Sequence, residues 1–358
     1  MSDKIFFIAE AGVNHNGSLE LAMQLVDVAA QAGADAVKFQ TFKSEKLVTA
    51  NAAKASYQRE NTRQAGNQLS MLQKLELSIS DHQALVSHCK ARGIRFMSTA
   101  FDAESLDFLS TLDMPAFKIP SGDITCGPLL LQAARLRQPL IISSGMSTLA
   151  DIEAALGVVA FGLIHEHAPQ GRTDFETAYG STEGRLALKK HVTLLHCVTQ
   201  YPAPAESVHL RAMDTMAAAF GLPVGYSDHT LGIAVSLAAA ARGAVVLEKH
   251  FTLDRTLPGP DHAASLEPKE LVQLIDGVRT IGQALGTPIK SPAASELENR
   301  PVARRSLVAA RRIEKGEFFD DGALTFKRPG QGVSPLDYWD WLGRPASRAF
   351  DIDELIQP

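Results

Sequence analysis

The sequence has only three cysteines among its 358 residues, and this shortage argues against two kinds of site. Cys89, Cys126 and Cys197 lie far apart in the chain and form no C-x-x-C pair. We therefore expect neither a disulfide framework nor a cysteine zinc site. Sparse, unpaired cysteines are typical of proteins in a reducing cytosol.

Long apolar runs and an excess of basic residues are also missing. The N-terminal apolar run, residues 5–9, stops at Glu10 and is too short for the core of a signal peptide. No segment approaches the ~20 apolar residues that a membrane helix needs. The formal net charge of -5, without a basic run, argues against nucleic-acid binding. We expect a soluble cytoplasmic protein that binds neither membranes nor nucleic acid.

Short apolar runs alternate with helical patterns along most of the chain. The runs cover residues 5–10, 35–40, 94–99, 116–121, 140–145, 192–197, 223–229 and 244–250. Amphipathic segments lie between them, such as Leu19 to Ala32, and several end in a glycine ahead of the next run. Strict alternation of strand and helix means parallel pairing, and eight such units close a (β/α)8 barrel.

An open doubly wound sheet would give the same alternation of strands and helices. It predicts a glycine-rich phosphate loop after the first strand, and A-G-V-N-H-N-G matches G-x-G-x-x-G poorly. We therefore predict a TIM barrel over residues 1–285, a linker rich in Pro and Ser over 286–300, and a small domain over 301–358. A unit as small as the last one rarely stands alone, so we expect it to lean on another surface.

Two insertions interrupt the alternation. Residues 41–69 are polar and lack clear periodicity, and we interpret them as a long loop at the carboxyl end of the second strand. Residues 161–190 are interpreted as a helix extension or a surface excursion, and no role is assigned to them.

Every predicted strand ends in polar side chains, where TIM-barrel enzymes build their active sites. In strand order these are Glu10; Lys38 and Gln40; Ser98 and Thr99; Lys118 and Ser121; Ser143 and Ser144; His196 and Thr199; Ser227, Asp228 and His229; Glu248 and His250. A single polar strand end is commonplace, because the chain is reaching water there. Eight of them converging on one mouth indicate a functional site.

These residue types suggest an anion site beside a metal site. Lys38 and Lys118, with several hydroxyls, supply what a phosphate ester needs. His229 and His250 leave adjacent strands at equivalent ends and suit a divalent metal whose other ligands are water and substrate oxygens. The alternative is that both are partly buried, hydrogen-bonded histidines. Residue types alone leave metal-dependent aldolases, phosphohydrolases and isomerases open.

Nine motifs along nearly the whole chain resemble those of the sialic acid synthase family, in the family's order. They are I-A-E-A-G-V-N-H-N-G (8–17), A-V-K-F-Q-T (36–41), F-K-I-P-S-G-D (117–123), I-S-S-G-M-S (142–147), L-L-H-C-V-T-Q-Y-P (194–202), G-Y-S-D-H-T-L-G (225–232), E-K-H-F-T-L-D-R-T-L-P-G-P-D-H (248–262), R-R-S-L-V-A (304–309) and K-R-P-G-Q-G (327–332). The resemblance implies a TIM barrel followed by an antifreeze-like (SAF) domain. It also implies a transferase of the N-acetylneuraminate synthase type, which condenses phosphoenolpyruvate with N-acetylmannosamine and water, with C–O cleavage, to give N-acetylneuraminate and phosphate.

The resemblance also implies roles for individual residues. Glu10 is the expected acid/base residue, and phosphoenolpyruvate is expected to be bound by Lys38, Gln40, Lys118, Ser121, Ser143, Thr199 and Ser227. The amino sugar is expected to be contacted by Asp123, Tyr201, Glu248, Asp261 and Arg328. His229 and His250 are expected to hold the metal, Mn²⁺ first, with Mg²⁺ or Co²⁺ as alternatives. Arg328 is expected to act in trans, in a domain-swapped homodimer where the antifreeze-like domain of one subunit caps the barrel of the other.

The sequence departs from the family pattern where sugar and phosphate meet. The family's S-G-E is S-G-D here, at Asp123, and relatives often carry Asn near the position of Thr199. The alternative substrate is therefore a 2,4-diacetamido-dideoxyhexose, as used by legionaminate or pseudaminate synthases. A non-catalytic sugar-binding barrel and a phosphohydrolase are the remaining alternatives.

Overall fold

A computed structural model describes residues 4–62 and 65–357 of the chain. Eight parallel strands close into a barrel, each pairing with the next and the last with the first. They are β1 (Phe6–Gly12), β2 (Ala36–Thr41), β3 (Arg95–Ala100), β4 (Phe117–Ile119), β5 (Leu140–Ser143), β6 (Val192–Cys197), β7 (Val224–Asp228) and β8 (Val246–His250). Each overlaps one of the eight predicted runs, so the predicted TIM barrel is confirmed.

Helices connect the strands and cover the outside of the barrel. In chain order they are α1 (Leu19–Gln31), α2 (Ser44–Leu47), α3 (Ser56–Thr62), α4 (Gln68–Gln73), α5 (Ile79–Arg92), α6 (Ala103–Ser110), α7 (Gly127–Arg135), α8 (Leu149–Ile164), α9 (Arg172–Gly180), α10 (Thr182–His191), α11 (Ala212–Phe220), α12 (Ala234–Ala241) and α13 (Pro268–Leu285). In the described part of the chain, none has both the length and the apolar character needed to cross a bilayer.

Local chemistry decides where these helices begin and end. At the start of α5, Ser78 Oγ accepts the N–H of Asp81 while the Asp81 carboxylate accepts the N–H of Ser78, which is a capping box. The same helix ends at Gly93, whose φ of 71° is the left-handed conformation that glycine adopts without strain. Gly221 ends α11 in the same way, with a φ of 64°.

The barrel interior has an apolar layer directly beneath the polar strand ends. Inward-facing residues of most strands pack there into one buried cluster, made of Ile8, Ala36, Met97, Ala116, Ile141, Leu195 and Val246. Successive residues of a strand face opposite sides, so the residue two positions further on faces inward again, at the mouth. Those positions hold Glu10, Lys38, Thr99, Lys118, Ser143, Cys197 and Glu248. The apolar layer thus supports the polar one.

The two insertions are helical. Residues 41–69 contain α2, α3 and the start of α4, so our interpretation of this insertion as an unstructured loop was wrong. These helices span four to seven residues each, which is too short for a 3.6-residue period to be recognised. The second insertion extends α8 to Ile164 and adds α9 and α10, which pack against it.

The chain divides into two compact units, Met1–Gly286 and Thr287–Pro358. The second contains α14 (Ala294–Leu297), α15 (Arg300–Ala303), β9 (Ser306–Ala309), β10 (Leu324–Lys327) and α16 (Tyr338–Trp341). β9 and β10 pair antiparallel, where the sequence shows its two short strand-like pieces. This unit has a buried core of its own that includes Leu307, Ile313, Phe319, Phe350 and Ile356.

Candidate active site

A cavity of about 470 Å³ opens at the carboxyl end of the barrel strands. Every site residue predicted for the barrel unit lines it: Glu10, Lys38, Gln40, Lys118, Ser121, Asp123, Ser143, Thr199, Tyr201, Ser227, His229, Glu248, His250 and Asp261. The remaining predicted residue, Arg328, is exposed in the second unit, just after β10. The cavity therefore brings the predicted barrel residues together, while their individual roles remain predictions.

Four of the polar strand-end residues named in the sequence do not line this cavity. Ser98 is hydrogen-bonded to Thr41 at 2.7 Å, Ser144 donates to the backbone oxygen of Leu195, and His196 lies 2.6 Å from the backbone oxygen of Val208. Asp228 forms a buried ion pair with Lys249 at 2.9 Å. Alternation along a strand explains this, because each neighbour of an inward residue points outward.

Two lysines and two glutamates form a buried charge cluster on the floor of the cavity. Lys38 Nζ lies 2.6 Å from Glu10 Oε2 and 3.6 Å from Glu248 Oε2, and Lys118 Nζ lies 3.7 Å from Glu248 Oε1. Hydroxyls complete the cluster, because Lys118 donates to Ser143 Oγ at 2.6 Å and Ser227 donates to Glu248 Oε1 at 2.9 Å. Such a cluster is costly to bury and persists only when every charge has a partner.

The two glutamates differ sharply in acidity because their surroundings differ. Burial raises the pKa of the Glu10 carboxyl to about 7, against the opposing effect of Lys38, and the negative Glu248 raises it further. For Glu248 the cost of burial is outweighed by Lys118, Lys38 and the Ser227 hydrogen bond, and its pKa falls to about 2. Two carboxyls whose pKa values are driven apart in this way are suited to different roles, one to proton transfer and the other to a permanent negative charge. Glu10 exchanges a proton near neutral pH, whereas Glu248 stays ionised.

The loop after β5 packs tightly against Ser121, Cys197 and Thr199, which line the cavity. The N–H of Gly145 donates to Ser121 Oγ at 2.9 Å. A Cβ at Gly145 would lie 2.1 Å from Thr199 Oγ1 and 2.9 Å from Cys197 Sγ, so only glycine fits. Gly145 and Cys197 were not predicted as site residues, although the motifs that contain them were noted.

The histidine pair has the properties that metal binding requires. The His229 and His250 rings lie 5.5 Å apart, and His229 Nδ1 is 2.7 Å from the backbone oxygen of Val198, which leaves its Nε2 lone pair free to bind. His250 Nδ1 is buried and has no hydrogen-bond partner among the described residues. Burial lowers the pKa of both imidazoles, and for His250 the neighbouring His229 and Lys38 lower it further. Two neutral imidazoles therefore fit a divalent metal.

Further metal ligands from the protein are not evident at this site. Within residues 4–62 and 65–357, no group of three or more His, Cys, Asp or Glu side chains has the arrangement of a metal site. The nearest carboxylate oxygen to His250 Nδ1 is Asp261 Oδ2, at 3.9 Å. Any metal held by the two histidines would therefore take its other ligands from water and substrate.

Two further carboxyls and a tyrosine line the cavity. Burial raises the pKa of both Asp123 and Asp261 to about 6. Asp123 Oδ2 is buried without a hydrogen-bond partner in the described part of the chain, so it is available to a ligand hydroxyl or amide. The Tyr201 ring lies 4.2 Å from that of His229, close to the histidine pair.

One side of the cavity is apolar, and the sequence analysis missed it. The side chains concerned, which we call the apolar wall, are Val13, Leu47, Val48, Met71, Leu72, Leu75 and Phe101. Two of them, Leu47 and Val48, belong to the insertion at residues 41–69, and Met71, Leu72 and Leu75 follow shortly after it. The signal was present, because Met71, Leu72 and Leu75 follow the i, i+1, i+4 spacing of one helix face.

Comparison with known proteins agrees with this architecture. A model described as the NeuB family matches residues 25–290, and a SAF domain model matches residues 304–358. The N,N'-diacetyllegionaminic acid synthase of Campylobacter jejuni is 47% identical over 354 residues, which are 99% of this chain and 99% of that protein. The protein of the same name from Legionella pneumophila is 44% identical over 338 residues, which are 94% of this chain and 89% of that protein.

A solved structure gives the same result. The N-acetylneuraminic acid (sialic acid) synthetase of Leptospira borgpetersenii, in complex with citrate, has a TM-score of 0.66 at 33% identity. The match covers 83% of this chain and 90% of that one.

The fold and the site together define a TIM-barrel enzyme whose mouth holds a buried lysine–glutamate cluster and a pair of histidines. The chain belongs to the NeuB family of nonulosonic acid synthases with a C-terminal SAF domain, and it is a transferase that forms a carbon–carbon bond. The predicted family and fold are confirmed.

Proposed function

We propose that the enzyme condenses phosphoenolpyruvate with a 2,4-diacetamido sugar and water to give N,N'-diacetyllegionaminic acid and phosphate. The observation that carries this proposal is the 47% and 44% identity to two synthases named for that acid, each over nearly the whole chain. The named sialic acid synthetase is less similar, at 33%. The proposal therefore prefers the alternative substrate of the sequence analysis over N-acetylmannosamine.

The two substrates differ at two positions of the sugar. The six-carbon aldose that would give diacetyllegionaminic acid has acetamido groups at C2 and C4 and a methyl group at C6. N-acetylmannosamine has hydroxyls at C4 and C6 instead. We refer to the first as the diacetamido sugar.

Lys38 and Lys118 are the proposed binding groups for the negative charges of phosphoenolpyruvate. Their ammonium groups are buried and flank the same carboxylate, and Ser143 lies 2.6 Å from Lys118. Ser121, Thr199, Ser227 and Gln40 line the same cavity and add hydroxyl and amide donors. Donors that are already in position lose little freedom when the anion binds.

Glu10 is the proposed proton carrier. Its pKa of about 7 lets it hold a proton at neutral pH and release it during the reaction. The enol carbon of phosphoenolpyruvate attacks the sugar aldehyde, and Glu10 gives its proton to the aldehyde oxygen, which becomes a hydroxyl. Water then adds to the resulting cationic carbon, and the Glu10 carboxylate takes up a proton of that water. The tetrahedral intermediate expels phosphate, which carries away the hydroxyl proton and leaves the keto group.

The site residues also support a metal and a sugar subsite. His229 and His250 would hold a divalent metal, Mn²⁺ first, with Mg²⁺ or Co²⁺ as alternatives, and when bound it would polarise the sugar carbonyl as a Lewis acid. Asp123, Tyr201, Glu248 and Asp261 would contact the sugar from the rim and floor. We further propose a cytoplasmic homodimer in which Arg328 of a second copy reaches the sugar.

The test is phosphate release from phosphoenolpyruvate by metal-stripped protein to which Mn²⁺ is restored. It is run with the diacetamido sugar, with N-acetylmannosamine and without sugar. We expect release with the diacetamido sugar to be the fastest and to depend on Mn²⁺. Faster release with N-acetylmannosamine would make the enzyme an N-acetylneuraminate synthase, and equal release without sugar would make it a phosphohydrolase.

Labelled water decides the cleavage position independently. C–O cleavage places the water oxygen in the sugar acid, so we expect labelled acid and unlabelled phosphate. Label in the phosphate would overturn the mechanism but not the choice of sugar.

A further inference from the structure

The cavity has two chemically different sides. Its floor carries the buried charges of Lys38, Lys118, Glu10 and Glu248. The apolar wall faces the same space, and its members pack on one another in a cluster separate from the main core. A substrate that fills this cavity must therefore present charged or polar groups to the floor and apolar groups to the wall.

The apolar wall is held in place by its own contacts. Asn67 Oδ1 accepts the N–H of Ser70 at 2.9 Å and caps α4, while Asn67 Nδ2 donates to the backbone oxygen of Ala50 at 2.6 Å. The N–H of Ser44 donates to Glu76 Oε1 at 2.8 Å, which ties α2 to the segment after α4. α2 and α4 are thus fixed to one another, and the apolar surface they form exists before any ligand binds.

An apolar wall discriminates between substrates in two ways. It binds a methyl group by removing it from water. It disfavours a hydroxyl, because a buried hydroxyl without a hydrogen-bond partner loses its bonds to water. The diacetamido sugar has a C6 methyl and an acetamido methyl where N-acetylmannosamine has two hydroxyls.

We propose that the apolar wall is the specificity subsite of the enzyme, which receives the methyl groups of the diacetamido sugar and disfavours the hydroxyls of N-acetylmannosamine. This inference rests on the proposed function. Gln58 and Gln68 line the same cavity and supply amide groups for the polar part of an acetamido substituent.

The test introduces polarity into the apolar wall with little change of shape. Leu47→Asn and Val48→Thr are chosen because both residues are only half-buried, so the fold tolerates them better than changes at Met71 or Leu72. The matched controls are Leu285→Asn and Val272→Thr on α13, where the side chains are 52% and 39% exposed. kcat/KM is measured for each sugar, together with the KM for phosphoenolpyruvate.

We expect each wall variant to lose at least about 10-fold in kcat/KM for the diacetamido sugar, the scale of one methyl contact in an apolar pocket. We expect an unchanged or higher kcat/KM for N-acetylmannosamine, an unchanged KM for phosphoenolpyruvate, and no effect in the controls. Val48→Ala removes apolar contact without adding polarity. Val48→Ala should lower kcat/KM for the diacetamido sugar, relative to that for N-acetylmannosamine, by less than Val48→Thr does. It provides the test if Val48→Thr does not fold.

Two results would overturn the inference, and they are distinguishable. A wild-type enzyme that prefers the diacetamido sugar, with the same sugar ratio in every wall variant, would overturn the subsite and leave the proposed function standing. A wild-type enzyme that prefers N-acetylmannosamine would overturn both.

Discussion

Glu10 and Glu248 lie at inward positions of neighbouring strands and are bridged by one lysine, yet the pKa of Glu10 is raised and that of Glu248 is lowered. The difference comes from partners rather than from residue type. Glu248 has two lysines and a hydroxyl close by, whereas Glu10 has a close ion pair with Lys38 alone and a like charge nearby. A sequence lists both as glutamates, and only the folded arrangement separates them.

The pH dependence of catalysis should follow the ionisation of the Glu10 carboxyl. Because Glu10 is the proposed proton donor, wild-type kcat/KM is expected to fall as pH rises through about 7, where its carboxyl loses the proton. Glu10→Gln is expected to lower kcat roughly 100-fold or more and to abolish this limb of the profile. The measurement is a pH–rate profile of both proteins, and an unchanged alkaline limb in Glu10→Gln would assign the titration to another group.

Lys249 and Asp228 form an ion pair on the outward side of β8 and β7, next in sequence to the two histidines. Both side chains are almost fully buried, and Asp228 also accepts bonds from Ser236 and the N–H of Thr230. Lys249→Met leaves the aspartate buried without its cation, so we expect a loss of about 3–5 kcal/mol in the free energy of unfolding.

Urea unfolding followed by circular dichroism measures this loss. The matched control is Arg312→Met, which breaks the exposed pairs of Arg312 with Glu314 and Asp351 in the second unit and should lower the free energy of unfolding far less. Equal losses in the two variants would show that burial does not decide the strength of the Lys249 pair.

At the scale of elements, the loop after β5 depends on a glycine. Gly145→Ala places a methyl group against Thr199, Ser121 and Cys197, so the loop must move away from these side chains. We expect kcat/KM for phosphoenolpyruvate to fall roughly 10- to 100-fold, since small displacements of binding groups have effects of that size. Steady-state kinetics give the value.

Gly180→Ala is the matched control, because a Cβ there meets no described atom within 4 Å. It should leave kcat/KM for phosphoenolpyruvate unchanged. A Gly145→Ala enzyme with wild-type kinetics would mean that the loop accommodates the methyl group without displacing the donors.

Element prediction succeeded or failed according to length and repetition. The strands were recognised because a buried parallel strand is a short, nearly continuous apolar run, and eight repeats of one unit reinforce each other. α2, α3 and α4 were missed because each is shorter than two turns, and α2 and α4 pack in a local apolar cluster with Val13 and Phe101. Such a cluster is a tertiary feature.

At the scale of the whole molecule, Asp35 joins three separate segments at the base of the barrel. Its carboxylate accepts from Lys4 and Arg279, at 2.6 Å each, and from the N–H of Phe7 at 2.9 Å. Although burial opposes ionisation, these partners together lower the pKa of Asp35. The folded state therefore favours the ionised carboxyl.

Stability should consequently depend on pH through Asp35. A depressed pKa contributes stability above the unfolded-state pKa of about 3.9, and that contribution is lost as pH falls through the folded-state pKa. We expect Asp35→Asn to cost about 1–3 kcal/mol at neutral pH and the difference from wild type to shrink below about pH 4. Thermal unfolding across this range measures it.

Asp113→Asn, at an exposed aspartate, provides the control and should match wild type at every pH. A difference between Asp35→Asn and wild type that stayed constant down to pH 3 would mean that lost packing, not lost charge, is responsible.

The sequence by itself determined the barrel, its eight strands, the SAF domain and the barrel residues that meet in the cavity. The strands follow from local periodicity, whereas the SAF domain and the individual site residues were implied by motifs that resemble those of a known family. The tertiary structure decided which polar residue at each strand end faces inward, how Glu10 and Glu248 divide their acidity, and where the apolar wall lies. Each of these depends on burial and on neighbours that are distant in sequence, so the spacing of Met71, Leu72 and Leu75 alone could not place the apolar wall at the cavity.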